Sequence, residues 1–362
     1  MIYSEELTSK AQFIQNLFSD FYRGDWDIFA SNPEHFRMRA EFRIWRDGEN
    51  ISYAMSPSGE KISAKNVILL DTFPVASLRI NRAMPCLLEI IRSEQVLNHK
   101  LFQVEFLSTS RDDLLITLIY HRKLDDTWKN AAKKIKEKLN TAVIGRSRGE
   151  KIVLSRDFVR EEFTVNSEKF SYLQYEQSFS QPNAEICREM LNWTQKQARN
   201  LTELKNRDLL ELYCGNGNFS LPMSRVFRRV LATEISKTSV MALRQNVANN
   251  KIRNIDLARL SAEELSEAFA GKREFKRLKE ANINLENYDF AAVLVDPPRA
   301  GVDKNTLKIL KNFSYIFYIS CNPATLAENL RELTEHKVIA AAMFDQFPHT
   351  PHIETAVVLQ LK

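Results

Sequence analysis

The sequence predicts an α/β protein, with a mainly parallel, doubly wound sheet in its C-terminal half and a separate α+β region ahead of it. Three observations carry that expectation. After about residue 180, strand-like and helix-like segments alternate, the order that builds a parallel sheet covered by helices on both faces. One of these strands, 209–213, runs directly into Gly215-Asn216-Gly217, a turn that lets backbone approach a ligand closely. Before residue 180 the texture differs, with period-two strands, helices and a hairpin mixed together. The expected domains are therefore 1–175 and 176–362.

In the first region, 37–45 reads RMRAEFRIW, arginine alternating with apolar residues as in a half-exposed strand. Segments 101–107 and 114–121 read as further strands. Residues 127–139 have helical spacing and a lysine-rich outer face. Val143-Ile144-Gly145 and Lys151-Ile152-Val153 flank Arg146-Ser147-Arg148-Gly149, the turn of a hairpin. In the second region the expected strands are 209–213, 229–233, 291–296 and 315–320. The expected helices are 184–199, 237–249, 262–269 and 324–334. A last strand, 354–361, follows a loop instead of a long helix, so it is expected to run antiparallel at the sheet edge.

Composition excludes several classes. No run approaches the roughly 20 apolar residues of a membrane helix. The first ten residues carry Glu5 and Glu6 and no apolar stretch follows them, unlike a signal peptide. The expected location is cytoplasmic, with no membrane partner. Cys86, Cys187, Cys214 and Cys321 lie far apart with no C-x-x-C pair, which argues against a disulfide framework, a zinc site or an iron–sulfur cluster. No metal is expected. Residues 1–150 carry 22 Lys and Arg against 20 Asp and Glu, and the remainder 29 against 26. Neither part is a basic domain, so nucleic-acid contact has to be argued from local clusters.

Two places carry chemistry. At the first, Gly-x-Gly alone is compatible with any strand-to-helix turn, and Ser220 stands where a dinucleotide fingerprint would have its third glycine. The next strand, however, ends at Glu234. An acid there can accept hydrogen bonds from both ribose hydroxyls of a nucleoside, although an exposed glutamate at a helix start is the plainer reading. At the second, YIFYIS ends at Cys321, and Asn322-Pro323 opens the next helix with a capping residue and an N-terminal proline. A thiol between a strand end and a helix start is expected to have its pKa lowered by the helix dipole.

The segments LELYCGNGNFS, ATE, VDPPR, YISCNP and FDQFPHTPHIE resemble the RNA 5-methyluridine methyltransferases, a family of class I (Rossmann-like) methyltransferases. FRMRAEFRIW, LFQVEFL, YHRKLDDTW and IGR extend the resemblance over nearly the whole chain. It implies S-adenosylmethionine as methyl donor, with Gln181, Tyr213, Asn218 and Glu234 as its contacts. It also implies Asp296 on the cofactor side or in the uracil pocket. Carbon 5 of uracil is a poor nucleophile, and a thiolate added at carbon 6 makes it a good one. The resemblance gives that thiolate to Cys321 and the removal of the carbon 5 proton to Glu354, in preference to the nearby His349 and His352.

The same resemblance implies a monomeric enzyme that methylates the T-loop uridine of tRNA, and extends to the T-loop-like arm of transfer-messenger RNA. The N-terminal region is then an RNA-recognition domain. Its candidate contacts are Arg37, Arg39, Arg43 and Arg146, with Phe102 and Phe106 fitting either a stacking surface or the core. His121, Arg122, Lys123 and Arg148 join them, and Lys272, Arg273, Lys276 and Arg277 form a basic insertion in the second domain. Ribosomal-RNA relatives often carry an iron–sulfur cluster and an extra N-terminal module. This chain lacks the cysteine spacing, yet a ribosomal substrate is the alternative. A non-catalytic RNA-folding module or a nicotinamide-dependent dehydrogenase leaves Cys321 and Glu354 unexplained.

Overall fold

The computed structural model describes residues 2–48, 50–57 and 59–362. In chain order the strands are β1 (Asp27–Phe29), β2 (Arg39–Asp47), β3 (Asn50–Met55), β4 (Ile68–Leu70), β5 (Leu101–Ser108), β6 (Leu114–Tyr120), β7 (Ala142–Ser147), β8 (Glu150–Val153), β9 (Phe158–Val165), β10 (Glu168–Tyr175), β11 (Asp208–Leu212), β12 (Arg229–Thr233), β13 (Ile255–Ala258), β14 (Phe290–Val295), β15 (Tyr315–Ser320), β16 (His336–Phe344) and β17 (Glu354–Leu361). The helices are α1 (Tyr3–Leu17), α2 (Leu78–Ser93), α3 (Gln95–Asn98), α4 (Asp126–Leu139), α5 (Ala184–Asn200), α6 (Ser220–Met223), α7 (Lys237–Asn249), α8 (Ala262–Phe269), α9 (Lys276–Glu280), α10 (Lys304–Leu310) and α11 (Pro323–Glu332).

The chain forms two compact units. One comprises residues 1–31, 162–173 and 185–362, the other 32–161 and 174–184. The expected division at 175/176 differs from this partition. The first 31 residues supply a helix and a strand to the C-terminal unit, and the tip of the β9–β10 hairpin goes with them. A sequential cut misses this because pairing between distant segments leaves no local signal.

In the second unit, strands β4-β3-β2-β5-β6-β7-β8 form one sheet among the described residues. The pairs are antiparallel except β6 with β7, whose parallel crossover is α4. The alternation read in RMRAEFRIW is real. Ala40 and Phe42 point into a core with Tyr53, Ile80, Met84, Phe106, Leu118 and Trp128, while Arg39, Glu41 and Arg43 take the other face.

The first unit is built on an eight-stranded sheet of order β1-β16-β17-β15-β14-β11-β12-β13 among the described residues. Strands β11, β12, β13, β14 and β15 are parallel neighbours. Strands β14 and β15 are almost continuously apolar and buried, as strands covered on both faces must be, and β11 is buried throughout although it carries Asp208 and Glu211. The last strand, β17, runs antiparallel as expected, but it is not at the edge. It lies between β15 and β16. Its residues from Glu354 to Leu359 are all buried, so both its sides need partners, and β16 then β1 fill the space beyond it. No described helix is long and apolar enough to cross a membrane.

Candidate active site

The carboxyl ends of the parallel strands gather the chemistry-bearing residues of the first unit. After β11 the chain turns through Tyr213 (φ 60°), Gly215 (φ 54°) and Gly217 (φ 88°). A left-handed tyrosine is strained, and such strain is kept where a loop must be held in one shape. At Gly217 a Cβ would meet Leu243 Cδ1 at 2.2 Å and Leu221 Cδ1 at 2.8 Å, so a side chain would displace both leucines, and the positive φ itself favours glycine. At Gly215 nothing lies within 4 Å of the Cβ position, which leaves room for a ligand against the backbone.

Glu234 follows β12 and closes this turn from the side. Its carboxylate accepts the Gly215 N–H at 3.0 Å and the Ser236 N–H at 2.7 Å. Asn218 Oδ1 lies 3.4 Å from the Cys187 thiol, while Asn218 Nδ2 is buried with no hydrogen-bond partner among the described residues. A buried amide without a partner is costly, and a ligand acceptor relieves it. The half-buried Tyr213 points its hydroxyl toward Thr306 at the start of α10. Gln181, the fourth cofactor contact expected, lies in the segment 174–184 of the second unit.

Asp296 follows β14 and enters Pro297-Pro298. Part of the residue is accessible, yet burial of its carboxyl pushes it up to about 7. Beneath it, Glu211 on β11 is almost wholly buried and is pushed up to about 8, by burial first and by the Asp296 charge second. Sequence reasoning passed over Glu211. The signal for it is a lone carboxylate inside the apolar run Leu209-Leu210-Glu211-Leu212.

Cys321 and Glu354 are brought to one end of the β15–β17 ladder. Its last pair is Ser320 with Thr355, Cys321 follows Ser320 and Glu354 precedes Thr355. The Cys321 thiol is pushed up to about 11, first by burial, then by the Glu354 and Asp296 charges, with Arg299 pulling the other way. Glu354 is 5% exposed, and its carboxyl is raised by burial and by Asp296. Thiol and carboxyls therefore share one electrostatic pocket. The thiol is therefore raised, not lowered as expected: burial and two neighbouring carboxylates push it up. Asn322 is the N-cap residue of α11 but makes no side-chain cap bond. Its Nδ2 donates instead to the Arg299 carbonyl at 3.1 Å and to Thr325 Oγ1 at 2.6 Å, tying the cysteine loop to the Asp296–Arg299 loop.

The two histidines considered as rival bases sit elsewhere in the loop. His349 is exposed, with Nδ1 3.5 Å from a Glu6 carboxylate oxygen, and His352 packs edge-on against Phe347.

In the second unit the expected RNA residues divide. Phe106 is 1% exposed and packs edge-on against Phe42 and Tyr53, so it belongs to the core and not to a stacking surface. Arg39 donates to the carbonyls of Glu176 and Ser178, both at 2.9 Å. Arg146 forks onto the Glu176 carboxylate at 2.5 and 2.6 Å. Both serve the interior of their unit. Arg37 donates Nε–H to the Arg39 carbonyl at 2.8 Å. Arg43 lies over the Phe102 ring at 3.9 Å, and Phe102 stacks on His121 with centroids 4.1 Å apart. That stack stands on the face opposite the core.

The sequence profile of the tRNA (uracil-5-)-methyltransferase family matches residues 2–362. A tRNA/tmRNA (uracil-C(5))-methyltransferase of Acinetobacter baylyi is 50% identical over 360 residues, covering 99% of each chain. One from Neisseria gonorrhoeae is 51% identical over 361 residues, again covering 99% of each. Among solved structures, the tRNA (uracil-54, C5)-methyltransferase of Pyrococcus abyssi with S-adenosyl-L-homocysteine superposes with a TM-score of 0.73. It is 19% identical and covers 99% of this chain and 84% of that one, a likeness of fold. At half identity over full length, this chain belongs to the tRNA (uracil-5-)-methyltransferase family.

Proposed function

We propose that this enzyme, an S-adenosylmethionine-dependent tRNA (uracil-5-)-methyltransferase, methylates carbon 5 of the T-loop uridine, position 54, of tRNA and the matching uridine of tmRNA. The observation that carries the chemistry is that Cys321 and Glu354 stand at the same end of the β15–β17 ladder, with the Asp296 charge acting on both.

The donor fits the glycine turn. The open space at Gly215, the unpartnered Asn218 Nδ2 and the fixed Glu234 carboxylate offer backbone room, a donor and an acceptor for a nucleoside. When bound there, S-adenosylmethionine supplies an electrophilic methyl group. Tyr213, Asn218 and Glu234 would hold it, with Asp296 on the cofactor side or in the uracil pocket.

Cys321 adds as thiolate to carbon 6 of uracil, forming a carbon–sulfur bond and pushing the ring electrons into an enolate. Carbon 5 would then take the methyl group as its bond to the donor's sulfonium breaks, the electron pair staying on sulfur. Glu354, as carboxylate, removes the proton left on carbon 5. The electron pair of that C–H bond re-forms the carbon 5–carbon 6 double bond and expels the Cys321 thiolate. The buried position of Glu354 keeps bulk water from competing for the proton.

The second unit recognises RNA. The stack of Arg43, Phe102 and His121 and the guanidinium of Arg37 are its contacts in this reading, with the target uridine extruded from its loop. The RNA substrate points to the cytoplasm.

The test is incubation with methyl-labelled S-adenosylmethionine and unmodified tRNA, followed by nucleoside analysis. Label must appear as 5-methyluridine in the T-loop and vanish in Cys321→Ala. Label on ribosomal RNA instead would move the substrate. Label in an active Cys321→Ala variant would remove the thiolate step.

A further inference from the structure

Helix α7 turns one face toward β13 and α9. Lys237, Val240, Met241 and Arg244 stand at i, i+3, i+4 and i+7, so they form a single stripe. With Leu257, Arg259, Arg277, Glu280 and Ala281 they line a groove of about 420 Å³. Val240, Leu257 and Ala281 supply its apolar part, and Met241 is exposed there. Its rim carries four cations against one carboxylate.

Most of the cations around this concavity are not neutralised by the protein's own carboxylates. At the groove only Arg277 is engaged, donating to the Arg259 carbonyl at 3.0 Å and to Glu264 at 3.2 Å. Lys237, Arg244 and Arg259 have no ion-pair or side-chain hydrogen-bond partner among the described residues. Three unneutralised cations around one concavity, held near a fourth that is fixed, repel one another and attract a polyanion.

Position selects the polyanion. Lys237 follows β12 and Arg259 follows β13, so the groove opens at the carboxyl ends of the strands, the same side as Glu234 and Cys321. From β13 to β15 is four strand steps, through β12, β11 and β14. At about 4.8 Å per step the groove lies roughly 20 Å from the thiol along the sheet. A folded RNA with its uridine at Cys321 can reach that far, and a small anion acting at Cys321 cannot.

We infer that this groove binds the sugar-phosphate backbone of the tRNA substrate at a point remote from the target nucleotide. Lys237, Arg244 and Arg259 contact phosphates, and Arg277 fixes the register of Arg259. The inference rests on the RNA reading above. Phosphate contacts of this kind give affinity and orientation without sequence selectivity.

The test is a triple Lys237→Gln, Arg244→Gln, Arg259→Gln variant, assayed for equilibrium tRNA binding across a salt series and for methylation. Each lost phosphate contact lowers the salt slope by about one. The expected result is tRNA binding weakened at least tenfold, a slope reduced by about two to three, and kcat at saturating tRNA and S-adenosylmethionine affinity both preserved. Arg244→Lys should behave as the parent. Unchanged tRNA affinity and salt slope in the triple variant would overturn the inference. Binding is read without turnover. A parent enzyme that binds tRNA but methylates ribosomal RNA instead therefore sinks the substrate assignment and leaves the groove result to be judged separately.

Discussion

The Lys10 ammonium sits 2.8 Å from a carboxylate oxygen of Asp345, with 7% of the lysine and none of the aspartate side chain exposed. Glu6 approaches the same ammonium at 2.6 Å, and the Tyr3 hydroxyl donates to the other Asp345 oxygen at 2.7 Å. Helix α1 is thereby fastened to the segment that runs from β16 to Glu354. Removing one partner of a buried pair strands the other charge. Lys10→Met should therefore cost about 3–5 kcal/mol of stability, read from urea unfolding. A loss below about 1 kcal/mol would mean that the pair is effectively solvated.

The Cys321 thiol, pushed up to about 11, should be a slow nucleophile in the ligand-free enzyme. Alkylation by iodoacetamide, followed on the Cys321 peptide by mass spectrometry, should be slow near neutral pH. It should rise about tenfold per pH unit toward its pKa, because only the thiolate reacts. Glu354→Gln removes a negative neighbour, so the thiol pKa falls and alkylation at a fixed pH quickens. A rate that levels off near pH 8 would contradict the burial argument.

Glu211 gives a stability signature. Its folded value, about 8, lies above the ordinary 4.5 of the unfolded chain. Below about 4.5 both states are protonated and its contribution is intact. As pH climbs to 8 the unfolded state ionises first, and stability falls by on the order of 4 kcal/mol. Glu211→Gln should abolish that portion of the decline, making the variant more stable than the parent at pH 8 and little different near pH 4. Parallel pH profiles for the two proteins would refute it.

Glu234→Gln should raise the dissociation constant for S-adenosylmethionine by about 10- to 100-fold, the worth of hydrogen bonds to a charged acceptor. Isothermal titration reads this directly. Because the carboxylate also receives the Gly215 and Ser236 amides, the melting temperature should be checked in parallel. An unaltered dissociation constant would leave Glu234 as a brace for the turn and nothing more.

Phe102 and Phe106, four positions apart, should separate cleanly. Phe106→Ala empties core volume and should cost about 3–5 kcal/mol of stability. Phe102→Ala should leave stability within about 1 kcal/mol and raise KM for tRNA. The opposite pattern would place the stacking surface elsewhere.

Much of the site was legible because its signals are local. The strand 229–233, the helices 237–249 and 262–269 and the strand 354–361 stand where periodicity and caps put them. The placing of Cys321 and Glu354 at one end of the sheet follows from the antiparallel run of β17 beside β15. What escaped depends on contacts between distant segments. Arg39 and Arg146 look like surface cations until the Glu176 strand arrives beside them. The thiol pKa went the other way from expectation because the thiol is buried, and because Glu354 and Asp296, brought in by distant segments, add their charge. The inward place of β17 was hidden because β16 and β1 give weak strand signals of their own.

Strand β1 closes the large sheet by pairing Asp27, Ile28 and Phe29 with Ala342, Met343 and Phe344. A ribosome adding about 5–20 residues each second makes the two halves of that pairing some 15–60 s apart. The N-terminal helix and strand must wait all that time without their partners, with Ile14 and Phe18 still unburied. Trimming the first 31 residues would leave the edge of β16 open, a template for other chains. The end of the molecule synthesised first is thus among the last to find its place, and a chaperone has a long interval in which to hold it.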